Sequence, residues 1–413
     1  MTPDAPSSSA AVGVRQLVAV PDFRRLWIAQ IVSDFGDSLT FITLLFLVQR
    51  LTGSTVALAG LAISITIPSL LFGVVSGVFV DRWDRRKVML VSDVLRGVVV
   101  LGLVFVRSAD SVWLAYALAF THAAIATLFD PAKSALLPSL VGKDNLLAAN
   151  SVSQTSEVVA GLAGTAVAGL LAASLVDLWP VFVLDAGTFL LSAYFISRIA
   201  VRSEDKQAEV PKSGAGVWEE MVEGFRVISG SRPLMGVVVS GAIAMLGLGT
   251  INVLMVPLII DDLAVSESWF GLIQGSQVVG MVTAGIIVAV LAARFSESRL
   301  IVGGLIAVGM MIAAISRVTS VWQLMVILTV IGLAVVPVGA AAGTLVQTLV
   351  PDELRGRVGS SMETVTSTAS VISMGFAGVV AASIGTRSVF AISGAITIAA
   401  GVVAWFMFRG TDE

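Results

Sequence analysis

The sequence predicts an all-α integral membrane protein, with twelve transmembrane helices in two six-helix pseudo-repeat bundles. Composition and the spacing of polar breaks carry that prediction. Of 413 residues, 56% are hydrophobic and 13% charged, and the mean hydropathy is +0.96. So little polar surface cannot coat a water-soluble globule of this length. The polar breaks leave twelve apolar stretches, each near or above the roughly 20 residues a helix needs to cross the hydrocarbon.

Residues 1–22 are Ser/Ala/Pro-rich, lack the apolar run of a signal peptide, and read as a cytosolic tail. An N-terminal bundle over 23–200 holds spans at 24–49, 54–80, 88–106, 111–130, 146–173 and 178–198. Hydropathy collapses across a cytosolic linker, 201–231, where Arg202, Glu204, Asp205, Lys206, Glu209 and Lys212 accompany Pro211 and Gly214. Late in that linker Trp218, Met221, Val222 and Phe225 recur at helical spacing opposite Glu219, Glu220 and Glu223. The pattern fits an amphipathic helix at the membrane surface or an ordinary solvated linker helix. A C-terminal bundle over 232–413 follows, with spans at 233–260, 268–293, 299–316, 321–348, 355–383 and 386–408 and a short tail.

An even number of spans puts both termini on one side. All but four of the 25 lysines and arginines fall at that face, the exceptions being Arg50, Arg107, Arg317 and Arg387. The positive-inside rule makes it the cytosolic face. No basic patch interleaves with aromatics, so nucleic acid is not an expected partner. Cysteine is absent, which excludes disulfides, thiolate metal sites and a cysteine nucleophile. Neither a phosphate-binding loop nor a metal-ligand or Ser/His/acid set occurs, so no enzyme, metal or cofactor is expected, and any uphill transport must draw on a gradient.

The halves resemble each other. Ser-Leu-Val at 139–141 recurs as Thr-Leu-Val at 348–350, and Leu-Leu-Ala-Ala-Ser at 170–174 as Val-Val-Ala-Ala-Ser at 379–383, with the same displacement in both cases. Duplicated halves are how many secondary transporters are built. Glycines at 161, 164 and 169, and at 303, 304 and 309, permit close approach between helices.

A charge inside hydrocarbon is costly unless it meets a partner or a wet cavity, so intramembrane ionisable residues are the site candidates. Asp34 lies about 15 Å into the first span from Arg24 at 1.5 Å per residue, and Asp37 follows on the same side of the helix. Two carboxylates so close repel, and the pair reads as a proton or cation acceptor. Glu157 reaches a similar depth in the fifth span. His122, the lone histidine, sits mid-way along the fourth and reads as a titrating group or a structural one. Asp185 lies nearer the outer surface, where helix-terminal and gating roles compete with transport. Gln274 offers hydrogen bonds to a substrate, as do Asn252 and Gln277.

Asp81, Arg82, Asp84, Arg85, Arg86 and Lys87 crowd into the short turn between the second and third spans, behind Gly77. Asp81 with Arg82, Arg85 and Arg86 reads as an inner-face ion-pair latch between the bundles, and Asp93 and Arg96 as its extension. The pattern Gly77-x-x-x-Asp81-Arg82-x-x-Arg85-Arg86 resembles the signature of the major facilitator superfamily, with Asp84 where glycine is usual. Ser33-x-x-Gly36-Asp37, Leu51-Thr52-Gly53-Ser54, Ala149-Asn150-Ser151 and Pro351-x-x-Leu354-Arg355-Gly356-Arg357-Val358 narrow the resemblance to the bacterial branch containing macrolide-efflux and enterobactin-export proteins. It differs from many antiporters in lacking an arginine in the fourth span and a Gly-Pro pair in the fifth, where Gly164 precedes Thr165.

The resemblance implies a secondary active exporter of small amphipathic or drug-like molecules, a proton-coupled multidrug antiporter working by alternating access. It would reside as a monomer in the lipid bilayer of the bacterial cytoplasmic membrane, drawing on a proton or other cation gradient. Competing readings are export of a siderophore-like metabolite or a lysolipid, or a non-transporting membrane sensor.

Overall fold

The computed structural model describes residues 14–80, 83–142, 145–200 and 217–409; Asp81, Arg82 and residues 201–216 of the linker lie outside it. A short α1 (Val14–Ala19) precedes the six helices of the N-terminal half. These are α2 (Pro21–Thr52), α3 (Thr55–Val80), α4 (Arg85–Gly102), α5 (Val112–Val141), α6 (Leu146–Ser174) and α7 (Trp179–Ser197). Then come α8 (Val217–Gly230) and the C-terminal six: α9 (Arg232–Pro257), α10 (Phe270–Ala292), α11 (Glu297–Ile315), α12 (Val321–Leu349), α13 (Arg355–Ile384) and α14 (Thr386–Phe408). Twelve helices are long and apolar enough to span a bilayer, and no strand occurs among the described residues.

Local chemistry sets the breaks. Gly53, at φ 57°, ends α2 in the left-handed conformation that glycine adopts without penalty. Asp84 caps α4, its Oδ1 accepting from the Lys87 amide at 3.1 Å, which gives that departure from the superfamily pattern a structural task. One boundary differs from expectation. The fourth span continues beyond residue 130 to Val141, carrying Pro131 and Pro138 inside α5. Phe129, Ala132, Leu136, Leu137 and Val141 are buried against Phe23, Leu26, Val88 and Met89. A helix-interior proline costs about 3 kcal/mol, whereas burying each large apolar side chain returns roughly 1.5–3 kcal/mol.

The cores show how the halves meet. One apolar cluster draws on both, joining Phe46, Leu58 and Phe182 to Phe270, Met374 and Phe390. It lies toward the end of the molecule where α2 and α9 finish and α3 and α10 begin. Toward the opposite end the clusters separate: Phe23, Phe129 and Ile196 belong to the N-terminal half alone, Ile301, Leu305 and Phe408 to the C-terminal half. The bundles are therefore closed at one end and, among the described residues, share no apolar cluster at the other.

α8 lies against the C-terminal half. Ser361 Oγ donates to the Met221 carbonyl at 3.2 Å, Arg357 pairs with Glu223, and Val222 and Phe225 stay exposed. One face of α8 is thus docked, and apolar side chains remain outside it.

Candidate functional site

The intramembrane charges gather within the N-terminal half. Arg96 of α4, 3% exposed, donates from one terminal nitrogen to Asp37 Oδ2 on α2 at 3.0 Å and from the other to Asp93 one turn away. Asp93 is fully buried, and its second oxygen accepts from Ser192 Oγ of α7 at 2.5 Å. The Arg96 guanidinium also lies over Phe189 at 4.6 Å and Phe129 at 4.9 Å, a cation–π arrangement that gains strength where water is excluded. One cation thus serves two carboxylates, and its Nε has no partner among the described residues.

Asp37 is also 3.3 Å, Oδ1 to Nε2, from His122 of α5, without hydrogen-bond alignment; the imidazole Nε2 is buried and unsatisfied among the described residues. The ring meets Phe189 edge-on at 5.4 Å. Beside this group lies a cavity of about 240 Å³, with Asp37, Thr40 and His122 as its polar lining and Phe41, Leu44, Ile65 and Val100 among its apolar walls. A cavity with carboxylate and imidazole on one side and aliphatic walls on the other can hold water, a proton or an amphipathic fragment.

The predicted residues divide. Asp37, Asp93, Arg96 and His122 are brought together. Asp34 makes no hydrogen bond or ion pair among the described residues; Asp37, Glu157, Asp130 and Lys133 are the charges that act on it. Glu157 is exposed on α6, and Gln274 of α10 keeps a buried Oε1 with no partner among the described residues. In the hinge, Arg85 donates to the Ala135 carbonyl of α5 at 2.9 Å, and Arg86 to the carbonyls of Ile196 and Ser197 at the end of α7. Those bonds stay inside the N-terminal half, and Arg86 places a cation at the C-terminus of α7, where the dipole favours it. Asp93 and Arg96 bond to the Asp37 group and, among the described residues, not to the hinge. Gly77 lies in the last turn of α3.

A second group, absent from the expectations, bridges the halves at the closed end. Arg50 pairs with Glu267 at 3.0 Å while donating to the Ala172 and Leu175 carbonyls at the end of α6. Gln49 Nε2 donates to Asp261 Oδ2 at 2.7 Å, and Thr55 Oγ1 to the Gly378 carbonyl at 2.8 Å. Arg50 stood out in the sequence as one of four basic residues at the face opposite the termini. Arg50→Ala is expected to move the population about tenfold toward the arrangement open at this end, the equivalent of roughly 1.4 kcal/mol. The partial exposure of the pair keeps its contribution modest. Spin-label distances between cysteines introduced at the end of α2 and the start of α10 would report the shift. Exchanging the two charges should restore only part, because a glutamate in place of Arg50 would face carbonyl oxygens.

Residues 16–412 match the sequence profile of the family described as transmembrane secretion effector. The chain belongs to that family. This transmembrane secretion effector is 26% identical over 386 residues to an uncharacterised major-facilitator-type transporter, YfiS, of Bacillus subtilis, covering 91% of the chain and 90% of the relative. It is 24% identical over 385 residues to macrolide efflux protein A of Streptococcus pyogenes, covering 92% and 94%. In fold it is similar to a bacterial homologue of the iron transporter ferroportin, 17% identical in the inward-facing structure, with a TM-score of 0.74 over 95% of this chain and 99% of that one. The outward-facing structure of that homologue gives 0.60 over 94% and 99%, at 18% identity. The secretion effector is thus a multi-pass efflux transporter of the major facilitator type and not an enzyme.

Proposed function

We propose that this transporter exports small amphipathic or drug-like molecules by alternating access, as an antiporter driven by proton entry through α2. In this reading both termini lie in the cytosol, the bilayer is a bacterial cytoplasmic membrane, and the monomer suffices. The observation that carries it is the position of Asp37, a partly exposed acid at the edge of a cavity that shares one guanidinium with a buried acid. Such a carboxylate has two states, ion-paired or protonated, and a group with two states can bias two arrangements of the bundles. Asp34 and Glu157 supply further acids on the same flank, and His122 faces the cavity. Gln274 offers a hydrogen-bonding group from the other half. The macrolide exporter among the relatives supports an amphipathic substrate.

With the molecule closed at its outer end, the open face is the cytosolic one. Gly77, Asp81, Arg82, Arg85 and Arg86 would then latch the bundles in the opposite arrangement, while Asp93 and Arg96 act with Asp37. The test is efflux of a radiolabelled macrolide from proteoliposomes under an imposed pH gradient. The wild type should respond to the gradient, and Asp37→Asn should lose that response by roughly a hundredfold, in the range of a proton-transferring group. Wild-type efflux indifferent to the gradient would end the coupling proposal.

A further inference from the structure

The transport reading leaves Asp185 of α7 without a task. It is fully buried, and no cation pairs with it among the described residues. Its oxygens face hydroxyls: Oδ2 lies 2.5 Å from Thr40 Oγ1 on α2, and Oδ1 lies 2.9 Å from Thr188 Oγ1 on its own helix. Thr188 Oγ1 is also 2.7 Å from the backbone carbonyl oxygen of Asp185.

A hydroxyl has one proton to give. When Thr188 donates to that carbonyl, which can only accept, its lone pairs face Oδ1 and the contact is completed by a proton on the carboxyl. When the carboxyl is ionised, Thr188 can turn its proton onto Oδ1 instead. Rotation of the Thr188 hydroxyl therefore serves a carboxyl protonated on Oδ1 and, with its proton turned onto Oδ1, one that is ionised or protonated on Oδ2, without backbone movement. Gly36 makes the arrangement possible, since a Cβ there would collide with Asp185 Oδ1 and Thr188 Oγ1.

Thr40 has a second relation. It lines the cavity of about 240 Å³ that Asp37 and His122 also line, so its hydroxyl stands between that cavity and Asp185. The charged and titratable groups around this locus are Asp37 on α2, Asp93 and Arg96 on α4, and His122 on α5. Arg96 is already engaged by Asp37 and Asp93.

From this geometry we propose that Asp185 is a second proton-carrying group of the transporter, loaded from the cavity through the Thr40 hydroxyl. Hydronium in the cavity gives a proton to Thr40 Oγ1 as Thr40 passes its own to Asp185 Oδ2, and water is left behind. Release runs the exchange backwards, and Thr40 ends unchanged. The inference rests on proton coupling through α2 and adds a second proton to the cycle.

Infrared pH-difference spectra of the full chain in lipid nanodiscs test it without a transported substrate. The wild type should show a protonated-carboxyl C=O band that titrates and is missing from Asp185→Asn. After a pH jump, Thr40→Val should delay the appearance of that band by roughly tenfold, and Thr40→Ser should restore its rate. Thr188→Val, which keeps the acid, should move the band, so the assignment survives if Asp185→Asn fails to fold. Identical spectra for wild type and Asp185→Asn, or a band that stays constant at every pH, would overturn the proposal. A wild-type rate in Thr40→Val would overturn the route. Should Asp37→Asn still export under a pH gradient, the coupling reading fails separately, whatever these spectra give.

Discussion

Replacing Arg96 by methionine is expected to cost about 3–5 kcal/mol of stability, the range found when one partner is removed from a buried ion pair. The linear side chain of methionine fills much of the same volume, so the loss is chiefly electrostatic. Asp93, fully buried, would keep only the Ser192 hydroxyl, and Asp37 would lose its 3.0 Å partner. The two aromatic faces over which the guanidinium lies add a smaller loss. Denaturant unfolding in mild detergent measures the effect. Adding Asp93→Asn to the Arg96→Met chain should recover a substantial part, because it removes the most deeply stranded charge. If Arg96→Met unfolds at the wild-type midpoint, the shared-cation arrangement of α2, α4 and α7 is wrong.

Gly378→Val should act on the conformational balance and leave folding nearly intact. A Cβ at Gly378 of α13 would press on Ala59 and lie 2.8 Å from the Thr55 carbonyl oxygen of α3, both across the boundary between the halves. Overpacking a tight contact costs about 1–3 kcal/mol. Here separation of the bundles relieves the strain, so the same energy becomes a shift of up to about a hundredfold in population toward the arrangement open at that end. The chain has no cysteine, so accessibility labelling of single cysteines introduced beside Gln49 reads the shift directly. Gly339→Val is the control, since nothing lies within 4 Å of a Cβ built there. Equal labelling in the Gly378 variant and the wild type would contradict a closed contact at this position.

The twelve spans were legible because hydrocarbon imposes a length and a composition that a single chain records. Residues 131–141 were not, because the Asp130-Pro131 step has the local form of a helix stop, and the burial that overrides it comes from α2 and α4. The acids of α2 could be found by depth alone. Their partner could not: Arg96 reaches Asp37 across two helices, and no periodicity within either one encodes that meeting. The charge density at the hinge likewise drew Asp93 and Arg96 toward a latch, although both side chains turn inward from it. The surroundings of Asp185 were hidden for a related reason, since distance from the helix end says nothing of Thr40 and Gly36 on α2. At the closed end, Arg50 was visible only as an exception to a charge bias, and Glu267 and Asp261 had no signal of their own.

Charge is divided unevenly between the two pseudo-repeats. Asp34, Asp37, Asp93, Arg96, His122, Glu157 and Asp185 all belong to the first. In the second, ionisable residues keep near helix ends, and Glu363, bonded to Ser367 at 3.0 Å, reaches furthest along its helix. The two six-helix halves thereby differ, one carrying the intramembrane charges and the other largely neutral. Substitutions along the neutral wall can reshape what the cleft admits without disturbing the ionic cluster opposite, so the two walls are free to diverge independently.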